Sequence, residues 1–379
     1  MRLILHIGTH KTGTSSLQEC LRRNDRQLID QGICYAYTAR SKNSNWLVRL
    51  LVAKRRIGEA RDFLHQQIDR ASALGAKTLV VSAESFYAMT MFFQKLNGNK
   101  YHDYWKAESN AVELLYTVLP PDISTRLVVF FRRQDRFLES IYQQMIKSTR
   151  QISMPVEEFR VFFGEALNYA RHMELWSSAF PDCTVYTYEQ AAENISEFFF
   201  QNLLQLASTK EFQGQDLRLN LRWSRDVLEY KRMLNEIDVF EVDRRISKRA
   251  CIELARIMSD NGRYRDYLAP KLRASLLAEM QCGNEFLCRK FGMLPFPALS
   301  EQSLRAWTLY PGLSTERAIE FASHHARVRR SAGYQVERLA ILVRKATQRR
   351  LSLLAWTIPA GRVLLSQLRH LRRRAKRCP

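Results

Sequence analysis

Residues 3–18 constrain the fold of this chain more than any other stretch. Residues 3–7 form a short apolar run with β-branched side chains, which predicts a buried strand. A polar loop bracketed by Gly8 and Gly13 follows, and an amphipathic helical pattern begins at Thr14. Such a unit points backbone N–H groups and the positive end of a helix dipole at one place. The stretch therefore predicts an α/β fold whose first loop binds an anion such as a phosphate.

The position of its lysine separates this loop from the common nucleoside-triphosphate loop. The Walker A pattern, G-x-x-x-x-G-K-[ST], has a lysine directly after its second glycine. Gly8 and Gly13 have that spacing, but Thr14 occupies the lysine position and the lysine lies inside the loop, at Lys11. An ammonium there would meet an anion at the mouth of the loop instead of the β- and γ-phosphates. The pattern argues against an ATPase or a GTPase.

A second candidate anion site follows another apolar run. Residues 126–131 predict a buried strand that leads into Arg132 and Arg133, and a helix containing Ser140 follows. A guanidinium binds a doubly charged phosphate in a bidentate manner, and a hydroxyl from the helix adds a donor. Because side chains alternate along a strand, the sequence leaves open which arginine faces the ligand. The alternative is a solvated helix start, in which Asp135 serves as an early-turn acid.

A candidate general base follows a third apolar run. Residues 78–83 predict a buried parallel strand that delivers Glu84 at its carboxyl end, where ligands of open α/β sheets lie. We expect Glu84 near the Lys11 loop, where it would take a proton from a hydroxyl. A helix N-terminal acid or a buried ion-pair partner is the alternative. His10 is the fallback base, and His102 is a rival for which a loop histidine is the alternative.

In their order along the chain, these motifs resemble those of the sulfotransferase superfamily, in particular its bacterial and glycan-modifying members. Residues 10–15, His-Lys-Thr-Gly-Thr-Ser, resemble the family's 5′-phosphosulfate loop, Lys-[Ser/Thr]-Gly-Thr-[Thr/Ser]. Arg132, with Ser140 eight residues later, matches the spacing of its 3′-phosphate site. The Ser-x-Glu that ends at Glu84 resembles a strand end in related bacterial sequences. The resemblance covers roughly residues 1–295.

The resemblance implies a three-layer α/β/α fold with a mostly parallel sheet, like that of P-loop kinases. It implies sulfuryl transfer from 3′-phosphoadenosine 5′-phosphosulfate (PAPS) to a hydroxyl, or to an amine, of a glycan or glycolipid, with adenosine 3′,5′-bisphosphate leaving. No metal is expected, since fixed cations would replace the Mg²⁺ of kinases.

The resemblance also implies roles for individual residues. Lys11 would neutralise the oxygen that bridges phosphate and sulfate. Glu84 would accept the acceptor's proton, with His10 as fallback. Arg132 and Ser140 would hold the 3′-phosphate. The loop residues implied in donor binding are His10, Lys11, Thr12, Gly13, Thr14, Ser15 and Ser16.

Two departures separate the chain from the branch that modifies phenols and steroids. It lacks that branch's Arg-Lys-Gly-x-x-Gly element, and Ser16 stands where the branch often has an aromatic residue against adenine. Residues 261–264 are an alternative contact for the adenosine. Five aromatic side chains either line an acceptor cleft or pack in the core: Phe92, Phe93, Tyr101, Tyr104 and Trp105.

The chain is strongly basic, and much of the charge lies in its tail. The net charge of its 379 residues is +21, and residues 305–379 hold seventeen Lys and Arg against three Asp and Glu. Residues 351–358 are apolar and residues 362–377 alternate leucine with arginine, as in a helix that lies on an anionic membrane. A solvated or partner-packed helix is the alternative, and no specific nucleic acid is expected. We expect a sulfotransferase-like domain at 1–295 and a basic helical extension at 296–379.

The remaining sequence features bear on location. The seven scattered cysteines form no C-x-x-C pair, which suits a reducing compartment and argues against a zinc site. The first apolar run is interrupted by His6, so no signal peptide is expected, and no stretch approaches the ~18 apolar residues of a membrane span. We expect a cytoplasmic protein, peripheral at the inner face of a membrane.

Two other functions stay open on the sequence. One is a P-loop kinase of a small metabolite, which would use ATP and Mg²⁺. The other is a non-catalytic, membrane-associated or nucleic-acid-binding protein on a degenerate P-loop.

Overall fold

The computed structural model describes residues 1–38, 44–53, 56–93, 104–148, 152–206, 211–214, 223–237, 241–258, 266–305 and 307–330. The chain divides into two compact units. The first comprises residues 1–145, 154–222 and 262–310, and the second comprises residues 146–153, 223–261 and 311–379. The basic tail from residue 331 lies outside the described residues, so the predicted membrane helix stays a prediction. The predicted division at residue 295 also stays a prediction.

One parallel sheet forms the centre of the first unit. Within the described residues its strands are β1 (Arg2–His6), β2 (Ile33–Tyr35), β3 (Thr78–Ser82), β4 (Ser124–Phe131) and β5 (Cys183–Thr187). Their order is β2-β3-β1-β4-β5, and each neighbouring pair of strands runs parallel. The predicted α/β fold with a mostly parallel sheet is therefore confirmed.

The central strand β1 lies at the point where the chain reverses direction across the sheet. His6, its last residue, is in register with Ser82 of β3 on one side and with Val128 of β4 on the other. The chain leaves β1 for the β2 edge, returns through β3, and then crosses to β4. Such a switch point opens a crevice at the carboxyl ends of the strands. The segments that follow β1, β3 and β4 consequently share one edge of the sheet.

Helices cover both faces of this sheet. In the first unit they are α1 (Thr14–Arg23), α2 (Asp25–Asp30), α3 (Asn45–Val48), α4 (Ile57–Ala73), α5 (Met89–Phe93), α6 (Tyr104–Val118), α7 (Gln134–Lys147, of which residues 146–147 are assigned to the second unit), α8 (Val156–Phe163), α9 (Tyr169–Ala179), α10 (Ile195–Asn202), α13 (Pro270–Phe291) and α14 (Glu301–Arg305). A π-helical turn spans Arg49–Ala53, and 3₁₀ turns span Glu84–Phe86, Gly164–Leu167 and Tyr188–Ala191.

Strand alternation divides the core into two layers. One set of strand side chains packs under α1 and α10, where Leu17 and Phe199 belong to the same buried cluster as Ile4 and Phe130. On the opposite face, the ring of Phe131 stacks on Tyr169 of α9 at 4.1 Å between centroids. Each such side chain, once fully buried, contributes about 1.5–3 kcal/mol. The two layers hold α1, and the loop before it, against the end of the sheet.

The second unit is helical in its described residues. It contains α11 (Arg225–Ile237), α12 (Glu241–Ile257) and α15 (Thr315–Arg330). The rings of Tyr230 on α11 and Phe321 on α15 pack edge to face, and Asn235 donates to the backbone oxygens of Ile146 and Ile152.

Across the parts of the chain that the structure describes, no helix combines the length and the apolar character that crossing a bilayer needs.

Candidate functional site

The loop after β1 is bonded to the neighbouring strand on one side. The Thr9 amide donates to the Phe130 oxygen at 3.0 Å, and the Phe130 amide donates to the Gly8 oxygen at 2.7 Å. Inside the loop, the hydroxyl of Thr12 donates to the Thr9 oxygen at 2.7 Å. These bonds offset the conformational entropy that the polar loop loses when it is ordered. They hold it beside the carboxyl end of β4.

Glycine is required at both ends of the loop. Gly8 has φ of +105°, and a Cβ there would lie 2.9 Å from the Cα of Glu84. Gly13 has φ of +74°, and its Cβ would lie 2.9 Å from Cγ2 of Ile195 on α10. Both values lie in the left-handed region that favours glycine. The first glycine thus allows the end of β3 to lie against the loop, and the second allows α1 to begin there.

The N-terminus of α1 is open to an anion. The amides of Ser16 and Leu17 donate to the Gly13 oxygen, at 3.0 and 3.2 Å. No side chain caps the helix, and its first turn holds no acidic residue. Within the described residues, the amides of Thr14 and Ser15 have no acceptor. These donors, the helix dipole and the hydroxyls of the first turn are suited to bind a phosphate.

Two cations meet at the mouth of this loop. The guanidinium of Arg132, at the end of β4, donates through Nη1 to the backbone oxygen of Lys11 at 3.3 Å. Burial lowers the pKa of the Lys11 ammonium, and the positive charge of Arg132 lowers it further. The Arg132 guanidinium also lies over the ring of Tyr188, 5.3 Å from its centroid. A bound anion would relieve the repulsion between the two cations.

The structure separates the roles of the two adjacent arginines. Arg133 is 9% exposed, and its Nε and Nη2 donate to the two carboxylate oxygens of Asp135 at 2.8 and 3.0 Å. Its Nη1 donates to the Pro297 oxygen at 2.8 Å. Arg133 is therefore committed to the fold. Arg132 is the arginine that faces the loop, where it bonds to the Lys11 oxygen.

Asp135 is a buried part of this arrangement, not the solvated early-turn acid considered as the alternative. It also accepts a hydrogen bond from Arg273 of α13, and Arg273 donates to Glu139 at 2.8 Å. Burial opposes ionisation, but the bonds and charges of Arg133 and Arg273 together hold the pKa of Asp135 below its usual value. These ion pairs fix the start of α7, which is the helix that carries Ser140.

Ser140 lies in the second turn of α7 and is half-buried. Among the described residues, no hydrogen bond joins its hydroxyl to Arg132. The structure places the serine on the helix that Arg132 precedes, and its predicted contact with a 3′-phosphate stays a prediction.

Glu84 lies directly beside the loop, at the start of the 3₁₀ turn that follows β3. It is half-buried, and its Oε2 accepts a hydrogen bond of 2.9 Å from Nε2 of Gln18 on α1. The same Nε2 lies 3.2 Å from the hydroxyl oxygen of Ser82. Gln18 was not predicted from the sequence as a site residue. The only signal available was a pair of polar residues, Gln18 and Glu19, between Leu17 and Cys20 of α1, and the structure buries both.

A buried histidine lies behind this group. Nδ1 of His6 lies 2.8 Å from the Ser82 hydroxyl, and burial lowers the pKa of His6 to about 4 against the opposing charge of Glu84. The imidazole is neutral near pH 7. His10, the fallback base, is 8% exposed within the loop.

The aromatic residues predicted to lie either in an acceptor cleft or in the core have different surroundings. Tyr104 is 2% exposed and its hydroxyl lies 3.0 Å from Nε2 of the buried His172, so Tyr104 belongs to the core. The indole Nε1 of Trp105 donates to Oε2 of Glu165 at 2.8 Å, and Cζ of Arg171 lies over the indole, 4.3 Å from the ring centroid. The side chains of Phe92 and Phe93, together with Tyr101, His102 and residues 261–264, lie outside the described residues.

No family model, curated protein or solved structure matches this chain. Lys11, Glu84 and Arg132 follow three neighbouring strands at one edge of the sheet, around an open helix N-terminus. Two cations and uncapped amides suit a ligand with at least one phosphate. A carboxylate held beside them suits proton transfer.

Proposed function

We propose that this chain is a PAPS-dependent sulfotransferase acting on a hydroxyl, or on an amine, of a glycan or glycolipid. The observation that carries the proposal is the bond from Arg132 to the Lys11 backbone, with Arg133 committed to the fold. It brings the cation after β4 next to the lysine inside the β1 loop. PAPS carries two separate anionic groups, and the two motifs supply a cation for each.

The donor's two ends are assigned to different elements. The amides and hydroxyls from Thr12 to Ser16, with Lys11 and His10, would hold the 5′-phosphosulfate at the start of α1. Arg132, assisted by Ser140, would hold the 3′-phosphate, since a guanidinium matches two phosphate oxygens at once.

The reaction needs one proton acceptor and one cation. The acceptor oxygen forms a bond to sulfur, and the bond between sulfur and the bridging oxygen breaks. The electron pair of that bond goes to the phosphate, and adenosine 3′,5′-bisphosphate leaves. Lys11 neutralises the charge that develops on the bridging oxygen. Glu84 takes the hydroxyl proton of the acceptor.

The proposed acceptor and location are argued from the net positive charge of the chain. A net charge of +21 favours an anionic glycan or glycolipid, because a positive surface concentrates anions. The basic tail would hold a cytoplasmic protein against the inner face of a membrane. These parts of the proposal rest on the sequence.

Calorimetric titration with adenosine 3′,5′-bisphosphate, without metal, tests the donor. We expect binding to the wild-type protein, weaker binding of ADP, and a large loss of affinity in Arg132→Ala. Arg126→Ala is the matched control, since Arg126 lies on the same strand but bonds to Thr184, away from the carboxyl edge.

The same titration separates the other functions. Preference for ATP with Mg²⁺ would contradict the proposal and favour the kinase. Binding that ignores Arg132, and falls steeply with salt, would favour the non-catalytic protein.

A further inference from the structure

Gln18 is a buried polar side chain that bonds to the candidate base. It is 2% exposed, on a buried face of α1 that it shares with Thr14, Leu17 and Leu21. Burying an amide without partners costs roughly 1–3 kcal/mol by mutational data. Its Nε2 donates to Glu84 Oε2 at 2.9 Å, which is the shortest of its three contacts there. The amide that α1 carries into the core therefore ends on the carboxylate beside the loop.

The neighbouring groups determine which way the amide points. Nε2 also lies 3.4 Å from the backbone oxygen of Ser82, which can only accept a hydrogen bond. An ionised carboxylate is likewise an acceptor only. Two acceptor-only groups on one side of the amide require the NH₂ group there, not the oxygen.

The Ser82 hydroxyl and the His6 ring extend the hydrogen-bond network of the Gln18 amide. The hydroxyl accepts from Gln18 at 3.2 Å and lies 2.8 Å from Nδ1 of His6. Whichever nitrogen of the neutral imidazole carries the proton, the hydroxyl oxygen keeps a lone pair for the Gln18 amide. Nε2 of His6 has no hydrogen-bond partner within the described residues, and the His6 ring packs edgewise on Phe130 and Phe199. His6 and Ser82 thus hold the amide in one orientation.

We infer that Gln18 is a positioning residue, which holds Oε2 of Glu84 so that Oε1 is presented to the acceptor hydroxyl. The inference rests on the proposed function for the role of Glu84. Within the described residues, Oε1 of Glu84 has no hydrogen bond, while Oε2 is occupied by Gln18. A carboxylate with one oxygen tied to the scaffold has fewer rotamers, and its other oxygen is kept in the direction needed for proton transfer.

A double-mutant cycle tests this role, with PAPS as the donor, water as the acceptor and release of adenosine 3′,5′-bisphosphate as the readout. The variants are Gln18→Met, Glu84→Gln and the two combined. We expect Gln18→Met to lower turnover about 10- to 100-fold, as loss of a hydrogen bond to a charged group does. Affinity for adenosine 3′,5′-bisphosphate should stay within about twofold. In the Glu84→Gln background, Gln18→Met should cause no further loss.

Two further variants exclude a general packing effect. Gln18→Asn keeps an amide that is one methylene too short to reach Glu84, and should lose as much turnover as Gln18→Met. Gln67→Met removes another buried glutamine, on α4, and should leave turnover unchanged.

The outcomes separate the inference from the proposed function. Two outcomes would overturn the role of Gln18 alone, provided that the wild-type protein turns over PAPS. One is full turnover in Gln18→Met. The other is a loss of turnover on Gln18→Met that is as large in the Glu84→Gln protein as in the wild type. A wild-type protein that neither binds adenosine 3′,5′-bisphosphate nor releases it from PAPS would overturn the sulfotransferase, and the role of Gln18 in it. A cycle on the free energy of unfolding then still shows whether residues 18 and 84 are coupled.

Discussion

Arg132 donates a hydrogen bond of 3.3 Å to the backbone oxygen of Lys11 and so joins the carboxyl ends of β4 and β1. The two residues are far apart in the sequence, and parallel pairing of their strands brings them together. Their side chains place two positive charges beside one uncapped helix N-terminus.

Replacing Lys11 by alanine should reduce sulfuryl transfer far more than donor binding. The ammonium meets charge that develops only in the transition state, and such contacts are worth on the order of 10²–10³ in rate. Turnover of PAPS and titration with adenosine 3′,5′-bisphosphate measure the two effects. Lys77→Ala, at the amino end of β3, is the matched control. Equal turnover in Lys11→Ala and wild type would remove Lys11 from the mechanism.

Replacing Gly8 by alanine should destabilise the first unit and displace Glu84. The new Cβ would lie 2.9 Å from the Cα of Glu84, at a φ of +105° that alanine rarely adopts. We expect a loss of about 1–3 kcal/mol in the free energy of unfolding, measured by urea denaturation. In Gly58→Ala, in the first turn of α4, the Cβ meets nothing within 4 Å, so the free energy of unfolding should change by less than about 1 kcal/mol. A neutral Gly8→Ala would contradict the close approach of β3 to the loop.

Replacing Arg273 by methionine should destabilise the protein strongly. The change leaves two buried carboxylates, Asp135 and Glu139, without their shared partner. Breaking a buried ion pair from one side costs about 3–5 kcal/mol. Arg289→Met, on the exposed end of the same helix, should change the free energy of unfolding by less than about 1 kcal/mol. Similar losses in the two variants would show that the buried ion pairs do not hold α7.

His6 should make the protein less stable as the pH falls below about 6.5. The pKa of His6 is about 4 in the folded protein, against 6.5 for an ordinary histidine, so the unfolded chain binds more protons between those values. The free energy of unfolding therefore rises with pH across that window, by up to ~3 kcal/mol from this group.

Urea denaturation at several pH values measures this effect. In His6→Gln the slope of stability against pH between 4 and 6.5 should fall by about one proton, whereas exposed His65→Gln should leave it unchanged. An unchanged slope in His6→Gln would contradict a buried neutral imidazole.

The strand positions were predictable because buried parallel strands are short apolar runs. The runs before Gly8, Glu84 and Arg132 each became a strand of the sheet. The boundaries shifted by a residue or two, since hydrogen bonding to neighbours ends a strand, not hydropathy alone. The aromatic run near Tyr104 was not predictable in the same way, because an aromatic side chain suits a cleft and a core equally.

The sequence by itself determined the strand, loop and helix at residues 3–18, because apolar periodicity and glycine spacing are local properties. It also placed an acid and two arginines after strands. Only the tertiary structure decided that Arg132 faces Lys11 while Arg133 is bound to Asp135, and that Gln18 reaches Glu84. Those outcomes depend on which elements lie next to each other, and partners from distant parts of the chain leave no local pattern.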